Sequence, residues 1–494
     1  MTRISALLGL RATMDPHGVA LIGASGGDSS GGGGGRFRWR ELVAATDGWA
    51  ETFRYAGLLP GARLGLQVGD PVEFAAAYLG VLAAGITAVP LDPRATETET
   101  ARSVAILRCD ALVTDREGPL ELVPLVVDDQ RPRAMVGAHP AVLLTSSGTT
   151  GTPKGIGLDE RQLLDAAARV ARHHRITSAD IGYSPLPLFH INAQVVGVLT
   201  GLVSGATLVL DRRFDAERYW ATVAEHRATW LNAVPALLAA LAERPGPSAP
   251  ATHRVRFVRS ASAPLPVATL RAFETRTGLR VLETYGMTEA AGQITANPLD
   301  ERLRRPGSVG RPVGMALSVR GPDGGELPRD EPGMVALRGR AVVHHYRDIG
   351  PDGAERLRPA RDGQGWLRTG DLGVVDPDGF VHLLGRVDDV INRGGEKVLP
   401  GDVEAVVLAD PAVREAAVVG VPDDRLGEVP VAYITVRAGT EDPGRVVRQV
   451  MDACTARLSR YKRPVAVHIV DELPLGPTGK VLRRRLRGGL VGAR

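Results

Sequence analysis

The chain has 494 residues, 44% hydrophobic and 23% charged, which excludes both a single small binding module and a wholly disordered polymer. Lys plus Arg is 60 and Asp plus Glu is 56, a net charge of +4 that is too balanced over this length for a strong nucleic-acid field. The two cysteines, Cys109 and Cys454, lie far apart and show no metal-ligand spacing, so a disulfide scaffold is excluded and a reducing cytoplasm fits.

Residues 1–10 carry one Arg and a short apolar stretch, then meet Arg11, Asp15 and His17 without an Ala-x-Ala-like cleavage site, a poor signal peptide. Residues 19–22 read as a strand. Residues 26–35 are nearly all Gly and Ser, a flexible loop that most simply closes a long hairpin onto Phe37 and Trp39. A strand at 63–68, a buried helix at 71–84 and a buried strand at 86–89 follow. The apolar run from 74 to 91 approaches membrane length, but Gly80, Gly85, Thr87 and Pro90 interrupt it, so no span is expected. Alternating strands and helices predict an α/β fold.

A strand at 141–145 runs into Ser146-Ser147-Gly148-Thr149-Thr150-Gly151-Thr152-Pro153-Lys154-Gly155. Glycines let backbone N–H groups approach a phosphate, hydroxyls donate to its oxygens, and a lysine adds mobile positive charge. The spacing is neither a Walker A loop nor a dinucleotide fingerprint, and composition alone also allows a solvent-exposed turn. A helix at 159–173 follows, then strands at 206–210, 229–232, 256–260 and 280–283 and helices at 216–225 and 235–243. Residues 304–379 are rich in Gly, Pro and short strand-like runs. A boundary falls near 385–389, and the rest is α+β: helices at 400–409 and 446–458, strands at 416–421, 431–436 and 465–470, and a basic tail whose arginines are expected to be solvated. No internal repeat is visible.

Ser146 to Gly155 resembles the signature loop of the adenylate-forming superfamily, which includes acyl-CoA and aryl-CoA synthetases, peptide-synthetase adenylation domains and firefly luciferase. In the family's order follow Pro187-Leu188-Phe189-His190, Tyr285-Gly286-Met287-Thr288-Glu289, Thr369-Gly370-Asp371, Gly385-Arg386-Val387-Asp388-Asp389, Gly394-Gly395-Glu396-Lys397 and Pro477-Thr478-Gly479-Lys480. Any one could be accidental; the ordered set, over nearly the whole chain, is very specific. It implies a large N-terminal domain of layered α/β sheets plus a β-rich subdomain (1–385), a hinge (386–390) and a small mobile α+β C-terminal domain (391–494).

The resemblance also implies a reaction and its residues. A carboxylate attacks the α-phosphate of ATP, giving an acyl-adenylate and pyrophosphate, and a second nucleophile, often the coenzyme A thiol, displaces AMP. Lys480 would be the adenylation lysine, bridging carboxylate and α-phosphate. Glu289, with Thr149, would hold Mg²⁺. Ser146, Ser147, Gly148, Thr149, Thr150, Gly151, Thr152 and Lys154 would cradle the phosphates. Tyr285 would stack on adenine, Thr288 would lie near the α-phosphate, and Asp371 with Arg386 would take the ribose. His190 would gate the carboxylate pocket, Asp388 would be the pivot, and Gly394, Gly395, Glu396 and Lys397 would flank the pantetheine tunnel. Outside their motifs, Tyr285 would read as a core aromatic, Asp371 as a turn residue and Arg386 as a surface cation.

The 394–400 and 420–428 stretches resemble CoA ligases more than peptide-synthetase domains, and no carrier-domain sequence follows, so a stand-alone ligase in the cytoplasm is expected. A carrier protein, an amine or an oxyacid such as nitrite are the alternative acceptors, in secondary metabolism. A degenerate nucleotide-binding scaffold is disfavoured because Lys154, Glu289, Asp371, Arg386 and Lys480 are all present, and nucleic-acid binding rests only on the arginines at 483–487. Residues 285–299 look closest to oxalate-CoA ligases, yet Gly292 stands where that group usually carries His. Losing that imidazole removes a donor for a second carboxylate and opens space. The pocket wall is expected to include His190, Asn192, Val195, Ser260, Ala261, Ser262 and Ala263, small or neutral residues with only Arg259 nearby to pair a distal anion. That pattern favours a modest neutral or aromatic acid. Gly401 is a further departure, since the family usually has a larger residue there, and it could loosen the start of the following helix.

Overall fold

A computed structural model describes residues 3–24, 35–116, 118–125, 139–146, 154–244, 254–349, 355–437, 439–476 and 481–487. Among these residues the strands form four sheets. The first orders its nine strands Arg311–Pro312, Gly292–Ala296, Val281–Met287, Phe257–Ser260, Trp230–Ala233, Ile181–Ser184, Thr207–Leu210, Val19–Gly23 and Arg36–Arg38, the middle ones parallel. The second orders eight: Glu355–Pro359, His345–Ile349, Lys154–Leu158, Val142–Ser146, Thr87–Pro90, Arg63–Gln67, Ala111–Thr114 and Glu121–Pro124.

Parallel strands must be covered on both faces. The helix Pro71–Ala83 does this between the two sheets. The Asp70 carboxylate accepts from Val72 N at 2.9 Å and Glu73 N at 3.1 Å, Pro71 fills the first helical position, and the apolar side chains beyond it are buried nearly all round. Gly80, which breaks the apolar run in sequence, is where the helix Trp39–Tyr55 crosses: a Cβ there would lie 2.7 Å from Trp49 Cβ. The helices Pro71–Ala83 and Glu160–His174 and the π-helix Asn192–Leu199 share one core with Leu21 and Leu208 of the first sheet and Leu64, Val142 and Ile156 of the second.

The expected strands and helices are present, several of them longer than their sequence signal. The hairpin reading of the N-terminal strands holds, with Leu21 opposite Phe37 in antiparallel pairing, while its Gly-rich connection at 25–34 lies outside the described residues. One expectation changes. The helix after the signature loop is present at Glu160–His174, but the loop's last residues are not loop: Lys154–Leu158 is a strand, antiparallel to Val142–Ser146 with Ser146 opposite Lys154. Ile156 and Leu158 enter the core. Gly155 and Gly157 let the neighbouring strand approach, since a Cβ on Gly155 would lie 2.8 Å from the Arg347 carbonyl oxygen.

The β-rich stretch forms the third sheet: Ala316–Arg320, Gly333–Arg338, Leu367–Val375 and Val381–Arg386, all antiparallel. It is stitched to the first sheet by Val309 N to Val381 O at 3.0 Å and Val381 N to Gly310 O at 2.9 Å. Gly310, at φ +84°, sits so close to the Gly292–Ala296 strand that a Cβ would lie 1.9 Å from the Ala296 carbonyl carbon.

The smaller α+β domain has its own sheet, in which Gly427–Val436 pairs antiparallel with Val413–Asp423 and parallel with Ala466–Ile469. It also has its own core, including Val403, Val407, Val418, Ile434, Val446 and Val450. Its helix Pro400–Val407 starts against the third sheet, where a Cβ on Gly401 would lie 3.3 Å from the Leu384 carbonyl oxygen. Arg437 and Glu243 form an ion pair at 2.6 Å between the domains. Among the described residues no helix is long and apolar enough to cross a membrane.

Glu283, on the Val281–Met287 strand, is buried and accepts from Gly307 N at 2.9 Å. Burial raises its carboxyl from 4.5 to about 7, against smaller opposing pulls from that N–H and from Arg304. Between about pH 4.5 and 7 the folded protein therefore holds a proton that the unfolded chain has lost, so stability falls as pH rises through this window. Glu283→Gln should remove that fall. The stability difference between variant and wild type should grow by about 3 kcal/mol across the window in urea unfolding, and a difference independent of pH would contradict the assignment.

Candidate active site

The strands Val281–Met287 and Gly292–Ala296 are joined by a tight reversal. Gly286 faces Gln293 in register, and a Cβ on it would lie 2.4 Å from the Gly292 carbonyl oxygen, so only glycine lets the two backbones meet. Thr288–Ala290 makes one 3₁₀ turn, Ala291 takes φ +53°, and Gly292 takes φ +107°. Glu289 thus projects from a reversal rather than a smooth strand.

Three sheets converge here. From the third, Asp371 and Arg386 are cross-strand partners joined at 3.0 Å. Gly370, at φ +76°, leaves room for the guanidinium, since a Cβ would lie 2.9 Å from Arg386 Nη2. Thr369 supports the turn by donating to Val335 O at 2.9 Å and accepting from Asp371 N at 3.0 Å. From the first sheet, the buried Tyr285 hydroxyl donates to Asp371 Oδ2. From the second, Tyr346 lies near enough for the Glu289 charge to act on its phenol, and Lys154 Nζ lies 5.4 Å from the Tyr346 ring centroid. Glu289 O accepts from Val343 N at 2.8 Å.

Burial raises the Glu289 carboxyl, with Asp371 adding to it and Arg386 and Lys154 opposing. Burial also holds the Tyr285 phenol well above its usual range and pushes Tyr346 up to about 12. A dehydrated carboxyl gains from a cation brought close to it, although Arg386 and Lys154 already offset part of its charge. Among the described residues no group of three or more His, Cys, Asp or Glu side chains could hold a metal, so such an ion would rely on Glu289 and on substrate oxygens.

A second polar group lines the expected acid pocket. Arg259 Nη1 donates to Asn192 Oδ1 at 2.9 Å and Asn232 Oδ1 at 3.2 Å, and Asn192 Nδ2 donates to Ser262 Oγ at 3.4 Å. Asn192 opens the π-helix two residues after His190, whose ring centroid lies 4.2 Å from that of Phe189. Ser262 takes φ +77°, a costly conformation for a residue with a side chain. Val195 is wholly buried in the intersheet core and Ala261 is nearly so, whereas Ala263 is half-buried. Ser260 Oγ is buried without a partner among the described residues. At Gly292 the space a side chain would need is open, as its sequence suggested.

Other expected site residues fall elsewhere. Ser147, Gly148, Thr149, Thr150, Gly151, Thr152 and Lys480 lie outside the described residues, and Ser146 is described in its backbone only. Gly394 and Gly395, at φ +60° and +92°, form a two-residue hairpin turn with Arg393 opposite Glu396. Glu396 and Lys397 are exposed on it, on the small domain's sheet rather than among the residues around Glu289. Asp388 lies in the Val387–Asp389 turn directly after Arg386.

Two of the tail arginines are not simply solvated, while Arg484 and Arg485 are exposed. Arg483 pairs with Glu404 at 2.7 Å and Asp389 at 3.7 Å, and Arg487 donates to Asp388 O at 3.2 Å. Their counter-charges lie far back in the chain, so the tail alone could not reveal them. Tyr346 was also missed, because no motif surrounds it and only strand pairing brings it to Glu289.

A family model described as AMP-binding enzyme matches residues 10–347, and one described as AMP-binding enzyme C-terminal domain matches 402–480. A sulfoacetate–CoA ligase of Cupriavidus necator is 44% identical over 70% of this chain and 66% of its own length, so the matched region spans just under two thirds of that relative. An oxalate–CoA ligase of Arabidopsis thaliana is 33% identical over 87% of this chain and 88% of its own. The crystal structure of ATP-bound MatB from Rhodopseudomonas palustris superimposes with a TM-score of 0.84 at 28% identity, covering 98% of each chain.

The Tyr285–Asp371 contact makes a measurable claim on stability. Asp371→Ala leaves a buried phenol and Arg386 without their acceptor and should cost about 1–3 kcal/mol in urea unfolding without nucleotide, whereas Tyr285→Phe, which removes the donor itself, should cost less. The reverse order would contradict the arrangement.

Proposed function

The chain belongs to the AMP-binding enzymes, the adenylate-forming ligase superfamily, and from that premise we propose that it activates a small carboxylic acid with ATP and passes the acyl group to coenzyme A. In the first step a carboxylate oxygen bonds to the α-phosphorus, the α–β bridging bond breaks, and pyrophosphate leaves. In the second the coenzyme A sulfur bonds to the acyl carbon, AMP leaves with the bonding pair, and the thiol proton passes to solvent.

The observation that carries this reading is the meeting of Tyr285, Glu289, Asp371, Arg386 and Lys154 from three separate sheets. Such a site works by positioning and by neutralising phosphate charge. Tyr285 would stack on the adenine, Asp371 and Arg386 would hold the ribose hydroxyls, and Thr288 would lie by the α-phosphate. Lys154, with Ser146 and the following loop, would bind the β- and γ-phosphates. Glu289 fits Mg²⁺, with Thr149 as the second expected ligand, because its dehydrated carboxyl gains most from a cation. When bound, the ion offsets phosphate charge. Lys480 would sit between the carboxylate and the α-phosphate.

Coenzyme A as acceptor is supported by the two curated relatives, both named as CoA ligases. The exposed Gly394–Gly395 hairpin supports a part that reaches the reacting centre only after the small domain turns. We put the large domain at 1–385, the hinge at 386–390 with Asp388 as pivot, and the small domain at 391–494. The third sheet's last strand ends at Arg386 and the small domain's first strand begins at Ile391. His190, Asn192 and Ser262 would form the acid pocket.

The test is AMP release from Mg-ATP with short, branched and aromatic acids, each with and without coenzyme A, with products identified by mass. At least one acid should give a CoA thioester. Lys480→Ala should slow adenylation about 100-fold or more while still converting a supplied acyl-adenylate to thioester. AMP without thioester would move the acceptor to a carrier protein or an amine, and absence of AMP with every acid would overturn the reading.

A further inference from the structure

Arg259 is 2% exposed in the middle of the first sheet. Other buried arginines have a carboxylate: Arg304 pairs with Glu274, and Arg169 with Asp165 at 3.0 Å. Arg259 has none among the described residues. Its three hydrogen bonds all go to neutral amide oxygens, those of Asn192 and Asn232 and, at 3.3 Å from Nε, Gln293 Oε1. Its Nη2 has no acceptor among the described residues, and the nearby Gln293 Nε2 is buried without one.

A buried cation is costly unless a charge offsets it. Burial lowers the guanidinium to about 9, and no acidic group counters the shift. His174, 3.1 Å from Gln293 Oε1, is kept neutral by burial and by the charges beside it, so it supplies no anion either. What the neighbourhood lacks is one negative charge and acceptors for two sets of N–H bonds. It joins the acid pocket through Asn192, which touches both Arg259 and Ser262.

We propose that Arg259 receives a second anionic group on the substrate, so that the preferred acid is a dianion: a carboxylate to be activated and a carboxylate or sulfonate at its far end. This rests on the reading of Asn192 and Ser262 as pocket wall, and it reverses the preference for neutral acids that the small, uncharged wall residues suggested. A buried arginine discriminates strongly because an acid lacking the distal charge leaves the guanidinium unpaired.

The experiment uses matched acids: malonate against propionate, succinate against butyrate, glutarate against valerate, and terephthalate against 4-methylbenzoate. Binding to the wild-type protein is measured by calorimetry with Mg²⁺ and a non-hydrolysable ATP analogue, and AMP release is measured in parallel. At least one dianion should bind tenfold or more tightly than its partner. Arg259→Met should collapse that ratio at least tenfold, and Arg259→Lys should restore part of it. Equal or weaker binding of every dianion by the wild type would overturn the proposal without recourse to any variant. So would an Arg259→Met protein that loses affinity for both members of a pair equally, the pattern of a structural residue. Arg259-dependent dianion binding without AMP release would instead sink the ligase reading and leave this one standing, while AMP release with neutral acids alone would do the opposite.

Discussion

The contact on which the site depends is the hydrogen bond from Tyr285 to Asp371. It joins a hairpin of the first sheet to a strand pair of the third, and the same hairpin reaches the segment entering the second sheet through the Glu289 carbonyl, which accepts from Val343 N. Each sheet brings a fragment that is inert alone. Asp371 and Arg386 form an ordinary cross-strand pair, Lys154 ends a loop, and Tyr285 is a buried aromatic. Glycines make the convergence possible, because Gly286 and Gly370 remove the two Cβ atoms that would hold the backbones and the Arg386 guanidinium apart.

Much of this was legible in the sequence because it is written in local patterns. Short apolar runs bounded by turns mark the parallel strands, whereas the hairpin and the Thr369–Asp371 turn stand out only through their resemblance to the superfamily's motifs. What was hidden arises from pairing between distant segments. Tyr346 stands beside Glu289 only because its strand docks on Lys154–Leu158, whose glycines resemble loop in sequence and act instead as close-approach positions. Arg483 and Arg487 resemble a solvated basic tail until Glu404 and Asp389 come beside them. The helix Trp39–Tyr55 buries Trp39, Leu42, Thr46 and Phe53, a face that includes a polar residue and that we did not read as helical from the sequence.

The two polar centres differ in kind. Around Glu289 the charges are mixed, and acids and bases partly neutralise one another. Around Arg259 the charge is single and its partners are amides. Amide oxygens can hold a guanidinium's orientation without cancelling its charge, which suits a group that must stay fixed between encounters with an anion.

Gly401 matters beyond the helix it begins. A Cβ on it would lie 3.3 Å from the Leu384 carbonyl oxygen, so it is a point at which the small domain rests closely on the third sheet. A side chain there would press on the seam only in this relative orientation and would be indifferent to any in which the domains have parted. By omitting that contact the smallest residue removes a penalty from this packing of the small domain on the third sheet, and so favours it over any arrangement in which the two have parted.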